Sequence, residues 1–225
     1  MKYVSIDIES TGIDPDKDQV LSIGLVIEDS NDIKPVDELP SLHLVIVRDR
    51  LEGNVFALDM NRDIVKLLKD YQIADDVQRM ALAEAHEVIF VKEYQIVEEI
   101  FDFLYVNDMV NPRYNVRFDE GTSKFKGDTL IPTLGNIVYQ TTLTIAGKNV
   151  AGFAVPFLKK LPRFTEIFKF HQRVIDPAIL FVDWEKDELL PNLNTCMKRA
   201  GVEGEVTHDA VEDCKDVIKV LRTKY

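Results

Sequence analysis

The stretch Val4-Ser5-Ile6-Asp7-Ile8-Glu9-Ser10-Thr11-Gly12 alternates strictly, and this constrains the chain more than any other feature. Val4, Ile6 and Ile8 fall on one side and Asp7 and Glu9 on the other, the period of a strand with one packed face. Carboxylates at i and i+2 of a strand stand about 6–7 Å apart, given a rise of about 3.3 Å per residue. Two negative charges that close repel, and a divalent cation between them is the simplest relief. Ser10-Thr11-Gly12 ends the strand with turn-forming residues, which leaves the acids near an open strand end. The plainer reading is a solvated acidic face. Only partners elsewhere in the chain can separate the two.

Composition narrows the setting. With 225 residues, 46% of them hydrophobic and 29% charged, the chain has the make-up of an ordinary folded domain, so 1–225 is read as a single domain. No repeat, low-complexity tract or Gly/Pro-rich linker divides it. Its 27 basic and 39 acidic residues leave a formal charge of −12, which excludes a broad basic surface for gripping long duplex nucleic acid. A polyanion could be handled only locally, through metal ions and a few Lys or Arg side chains. Cys196 and Cys214 lack C-x-x-C spacing, which argues against a disulfide scaffold or zinc site and fits a reducing, cytoplasmic compartment. No apolar run has the length of a signal peptide or membrane span, so a soluble intracellular protein with no membrane partner is expected.

From the first strand onward, the periodicities predict an antiparallel meander and then alternating strands and helices. After a turn at 13–18, β-branched runs at 19–28 and 42–47 follow with short connections. Ile64, Leu67, Leu68 and Tyr71 share a helical face, as do Ile96, Ile100, Phe103 and Leu104 within 93–106. A strand is expected at 141–145 and a short one at 174–176. Helices are expected at 151–161, briefly at 165–171, and at 192–200 with Gly201 as its stop. Together these make an α/β domain with a mixed sheet flanked by helices. The stretch 107–140 has no clear period and far exceeds the usual connection of about 4–6 residues, so it reads as an insertion. There Arg113, Arg117, Lys124 and Lys126 are interleaved with Tyr114, Phe118 and Phe125. Such a mixture could hold a phosphate and stack a base, or could equally form a small hairpin unit packed on itself.

A last helix, starting at 207–210 and running to about 223, supplies the first partner for the opening acids. Ala210, Val211, Cys214, Val217, Ile218 and Leu221 form its apolar stripe, and Asp213 falls on the flank of that stripe. A carboxylate there is costly unless it is paired or bound to a cation. His208, at the helix start, reads either as an exposed capping residue or as a general base near neutral pH.

Together these residues resemble the DEDDh family of 3′→5′ exonucleases. Ser5-Ile6-Asp7-Ile8-Glu9-Ser10-Thr11-Gly12 is similar to the family's first motif. His208-Asp209-Ala210-Val211-Glu212-Asp213 is similar to its third, in which a His precedes an Asp by five positions. The helix over 193–202 is similar to the one that precedes the third motif. Phe56-Ala57-Leu58-Asp59-Met60-Asn61 is similar to a segment of members related to oligoribonucleases and phage exonucleases. The resemblance covers both ends and the middle of the chain and leaves 107–140 as a private insertion. The second motif departs from the pattern. Gly147-Lys148-Asn149-Val150-Ala151-Gly152-Phe153-Ala154-Val155-Pro156-Phe157-Leu158 keeps the motif's Asn, its Phe and the following Phe-Leu, but Ala154 stands where the family has an Asp. Either a degenerate nuclease or an acid replaced deliberately to stop cleavage accounts for this. Because the other three acids and His208 are retained, replacement is the favoured expectation.

The resemblance implies a ribonuclease H-like fold. It also implies hydrolysis of the terminal phosphodiester at a free 3′ end of single-stranded or short DNA or RNA, releasing nucleoside 5′-monophosphates. Asp7, Glu9 and Asp213 would hold two magnesium or manganese ions, and His208 would take the proton of the attacking water. Thr11, Gly12, Met60, Asn61, Asn149 and Phe153 would line the pocket for the last nucleotides. With Ala154 in place of an acid, the chain is expected to bind substrate but cleave it orders of magnitude more slowly. The competing class is a nuclease-like module that only binds nucleic acid or a partner protein. Ala154 is its best support, while the charge of −12 weighs against a general nucleic-acid binder.

Overall fold

The meander is present: β1 (Lys2–Ser10), β2 (Val20–Asp29) and β3 (Ser41–Ile46) run antiparallel in sequence order. The structure, a computed structural model, describes residues 1–110, 116–118, 137–139 and 141–225. Three helices follow: α1 (Val55–Met60), α2 (Arg62–Ile73) and α3 (Asp76–Ala85). Helix α2 buries Ile64, Leu67 and Leu68 of the predicted stripe and leaves its fourth member, Tyr71, half-buried. Helix α3 starts at a capping box, in which Asp75 accepts from the Gln78 amide while the Gln78 side chain accepts from the Asp75 amide. Strand β4 (Ile89–Val91) then pairs parallel with β3. The periodicities had indicated neither α3 nor β4. Helix α4 (Ile96–Val106) buries Ile96, Val97, Ile100, Phe101 and Leu104.

Within the expected insertion, β5 (Val116–Phe118) and β6 (Ile137–Tyr139) pair antiparallel. Arg117 and Phe118 fall in β5; Arg113, Tyr114, Lys124, Phe125 and Lys126 lie outside the described residues. The predicted strand at 141–145 is two strands. β7 (Thr141–Leu143) and β8 (Ile145–Ala146) are separated by Thr144, and only β8 joins β1, in parallel.

Two predicted helices are shorter than expected. The helix over 151–161 is only α5 (Ala154–Leu158), and Pro156 explains why. In the first turn a missing N–H costs nothing, whereas a helix begun at 151 would need that N–H to bond back to Gly152. The segment 165–171 is helical only in α6 (Phe164–Ile167) and then becomes β9 (Phe168–Phe170), parallel to β7. The alternation Phe-Lys-Phe, with a partner strand beside it, overrides the helical reading. At 174–176 the strand reduces to one bridge between Ile175 and Ala146. Helices α7 (Pro177–Leu180), α8 (Leu193–Ala200) and α9 (Ala210–Arg222) complete the chain, with α8 stopping at Gly201 as predicted.

The main sheet has the order β4-β3-β2-β1-β8, a mixed sheet of five strands. Its two faces bury different clusters. Val4, Ile6 and Ile8 pack with Ile100 and Leu104 of α4 and Phe157 and Leu158 of α5. On the other face Tyr3 and Val26 pack with Val211, Cys214, Val217 and Ile218 of α9. Because side chains alternate along a strand, that second face is also where Asp7 and Glu9 point.

Helix α9 lies unusually close to the sheet, and Gly24 permits it. Gly24 is paired with Asp7 across the β1–β2 ladder. A Cβ added there would stand 2.3 Å from the Ala210 carbonyl carbon and oxygen. At the other end of α9, Arg222 Nε donates to Glu28 Oε2 at 2.6 Å, and the Glu28 side chain is fully buried. A buried pair of this kind costs about 3–5 kcal/mol when one partner is removed, because the other charge is left stranded. The replacement Gly24→Ala is expected to destabilise the protein by about 1–3 kcal/mol through overpacking. Urea denaturation measures this, and an unchanged midpoint would contradict the close-approach account.

Candidate active site

β1 brings Asp7 and Glu9 to the start of α9, and α9 brings Asp213. Asp209 caps that helix, its Oδ1 accepting from the Val211 and Glu212 amides at 3.0 and 3.1 Å. Asp213 then lies one turn in and is buried, with 7% exposure. His208, just ahead of the cap, is exposed and held at φ +56°, a left-handed conformation uncommon outside glycine. Asp209, and not His208, does the capping, so His208 is an exposed loop residue ahead of the helix, a place open to either of its sequence readings.

Glu9, His208 and Asp213 converge. Each brings a carboxylate oxygen or an imidazole nitrogen within 4.8 Å of the other two, the one such group among the described residues. Asp7 is outside that set but lines the same pocket, of about 340 Å³, as His208 and Asp213. Ala154 is buried in the first turn of α5, in the cluster that packs on the Val4, Ile6 and Ile8 face, and, like Glu9, is not among the residues that line this pocket.

Burial first, and neighbouring carboxylates second, make these acids hard to ionise. Burial pushes Asp7 well above the usual carboxylate range, and the Asp213 charge adds to it. Burial, then Asp7, then Asp213 push Glu9 up to about 9. Asp213 is pushed up to about 7, chiefly by burial. Its Oδ1 is buried with no hydrogen-bond partner among the described residues. Crowded carboxylates with an orphaned oxygen and an adjacent imidazole form a donor set that suits a hard divalent cation.

The expected pocket-lining residues differ in what they offer. Thr11 is fully buried; its Oγ1 accepts from the Gln19 amide at 2.9 Å and its carbonyl from Asn54 at 2.8 Å, so it builds the turn. At Gly12 the Asp18 carboxylate occupies the space a side chain would need. Asn61 is buried, with Nδ2 donating to the Ser10 and Ala57 carbonyls at 3.1 Å each, while its Oδ1 has no partner among the described residues. Met60 is 42% exposed, and Phe153 is half-buried, edge-on to Phe157 at 5.4 Å between ring centroids. Asn149 is exposed at φ +52°, its amide donating to Asp176 Oδ2 at 2.9 Å.

Three further residues at or beside the pocket were given no role by the sequence motifs. Lys148 and Asn192 line it, Lys148 two residues after the end of β8. His43, on β3, brings Nδ1 to 3.8 Å from Asp209 Oδ2, with its side chain 9% exposed. Burial lowers its imidazole pKa against the pull of Asp209 and Glu212. A Lys beside Asn149 was legible as a neighbour of the second motif. His43 was not legible, because nothing in an apolar run signals a contact across the sheet.

The raised acids set a pH dependence. Groups whose folded pKa lies above the unfolded value bind more protons in the folded state, so their contribution is full below about pH 4 and is lost as pH rises through about 7 for Asp213 and about 9 for Glu9. The metal-free protein is therefore expected to lose thermal stability between pH 5 and 9. Magnesium or manganese should restore it, more at the alkaline end. Melting temperatures measured with and without metal across that range check this; a metal effect independent of pH would count against a shared carboxylate site.

No protein-family model matches the sequence, and no curated protein does. Solved structures do match the fold. Escherichia coli exonuclease I in complex with a 5cy-dT13 oligonucleotide superposes with a TM-score of 0.52 at 12% identity, over 99% of this chain and 40% of that one. The zinc-ion-bound form of the E. coli exonuclease I–ssDNA complex gives 0.51 at 15% identity, over 99% and 41%. Cell-death related nuclease 4 gives 0.52 at 13% identity, over 98% and 62%. The chain thus spans about two fifths of the exonuclease I chains. At these identities what is shared is the fold, a ribonuclease H-like mixed sheet flanked by helices.

Proposed function

We propose that residues 1–225 form a 3′→5′ exonuclease domain, with 107–140 as an insertion, acting on single-stranded or short nucleic acid. The observation that carries this reading is the meeting of Glu9, His208 and Asp213 within 4.8 Å, beside Asp7, at the end of β1 in a ribonuclease H-like sheet. That structural neighbours were solved with single-stranded oligonucleotides, one of them with zinc, supports it.

In this reading Asp7, Glu9 and Asp213 hold magnesium or manganese. When bound, such ions would supply the positive charge that neutralises the scissile phosphate. His208 accepts the proton of the attacking water at an imidazole nitrogen, and its exposure gives that water access. Lys148 supplies a positive charge in the pocket that Asp7 and Asp213 line. The bond broken joins phosphorus to the 3′ oxygen of the preceding nucleotide. The terminal nucleotide leaves as its 5′-monophosphate, and the shortened strand regains a 3′ hydroxyl. Thr11 and Gly12 shape the turn at the strand end, and Met60, Asn61, Asn149 and Phe153 meet the last nucleotides.

Ala154 limits this chain to weak cleavage and is what favours the second reading, a non-catalytic binding module. Ala154→Asp separates them. That variant is expected to release mononucleotides from a labelled single-stranded oligonucleotide with magnesium, orders of magnitude faster than the parent chain. Adding His208→Ala should then cost about 10²–10⁴-fold in rate, the usual share of a general base. A folded Ala154→Asp protein that releases nothing would sink the enzyme reading. One that also gains no metal-dependent stability would leave the binding module standing.

A further inference from the structure

Charge is partitioned along this chain. Residues 148–173 carry Lys148, Lys159, Lys160, Arg163, Lys169 and Arg173 against one acid, Glu166, a net of +5. The whole chain carries −12, which leaves −17 on the remaining residues. The positive segment encloses a second cleft, of about 480 Å³, between α5 and β9. Its lining includes Val155, Lys159, Phe164, Lys169, Phe170 and His171.

The cations of this segment are not equally committed. Lys160 pairs with Asp16, and Arg163 pairs with Glu166 at 3.2 Å. Lys159 and Lys169, the two lysines lining the cleft, are exposed and make no ion pair among the described residues. Phe170, also in the lining, is half-buried, its ring 5.7 Å from that of Phe164, which gives the cleft an aromatic wall. Unpaired cations flanking an aromatic surface are what a single strand of nucleic acid needs, since phosphates take the charges and bases of any sequence take the ring. One stretch of chain contributes to the lining of both cavities. Lys148 lines the active-site pocket, while Ala151, Val155 and Lys159, four residues apart, line this one.

We propose that the α5–β9 cleft binds the upstream nucleotides of a single strand whose 3′ end occupies the active-site pocket. This rests on the exonuclease reading for the identity of the strand, but its test is binding and not cleavage. Lys159 and Lys169 neutralise two phosphates, and Phe170 packs against a base. The cleft thereby gives an acidic protein a local grip on a polyanion, and only strands longer than the pocket benefit from it.

The test uses the full chain with calcium, a hard cation the carboxylates can also hold. Fluorescence anisotropy would compare a 5′-labelled dT12 with a labelled dT2, for the parent and for a Lys159→Gln/Lys169→Gln double variant. The parent is expected to bind dT12 more tightly than dT2. The double variant should weaken dT12 alone and lower the slope of log affinity against log salt by about 1.4, about 0.7 for each lost phosphate contact on a single strand. Both lysines are exposed, so the melting temperature should hold. An unchanged dT12 affinity and slope would overturn the proposal. So would equal weakening of both probes, or a parent chain that does not prefer dT12. If Ala154→Asp fails to cleave while dT12 binding still depends on the two lysines, the exonuclease reading falls and the cleft stands.

Discussion

The contact between β1 and α9 forces acids together. A strand with carboxylates on one face and a helix with a carboxylate on its flank would ordinarily be kept apart by desolvation and repulsion. Here the apolar stripe of α9, Val211, Cys214, Val217 and Ile218, is driven onto the same face that carries Asp7 and Glu9. Gly24 removes the last steric bar. Apolar burial thus holds in place an arrangement that electrostatics disfavours, and the displaced acid pKa values record the cost. That tension makes the end of β1 chemically special.

Surrounding features follow from it. The turn after β1 is stiffened by Thr11 and Asn61, whose side chains bond to backbone and not to solvent. His208 and Asn149 both hold left-handed backbone, His208 in the lining of the pocket and Asn149 in the turn after β8. Asp209 both caps α9 and meets His43 from the sheet, so the turn bearing His208 is tied to β3 as well as to its own helix.

The opening strand, the meander, the stripe of α9 and the flanking place of Asp213 were all readable from period and residue type, because burial on one face writes directly into the sequence. The lengths of α5 and α6 were not. Phe168–Phe170 becomes a strand only because β7 lies beside it, and that partner is remote in sequence. Of the candidate site, the acids and His208 could be named from spacing. Their separations could not, and the placement of Asp7 outside the tightest group had no sequence signal. Ala154 was readable as a departure, but its burial with Phe157 and Leu158 could only come from packing. Lys159 and Lys169 carry no sequence signal, because the cleft they line is formed by elements that meet only in the fold.

Helix α9 is fastened at both ends, by the Asp209 cap against Gly24 and by Arg222 on buried Glu28. A segment held this way has no cheap partial opening. To separate Asp213 from Glu9, the molecule must strip α9 from the central strands, which means giving up its core. The amide protons around Asp213 should therefore exchange only through global unfolding, while exposed α1 and α3, which bury no side chains fully, open on their own. The carboxylates of the candidate site would then be the least mobile part of the protein, and any movement that binding requires would fall to the ligand.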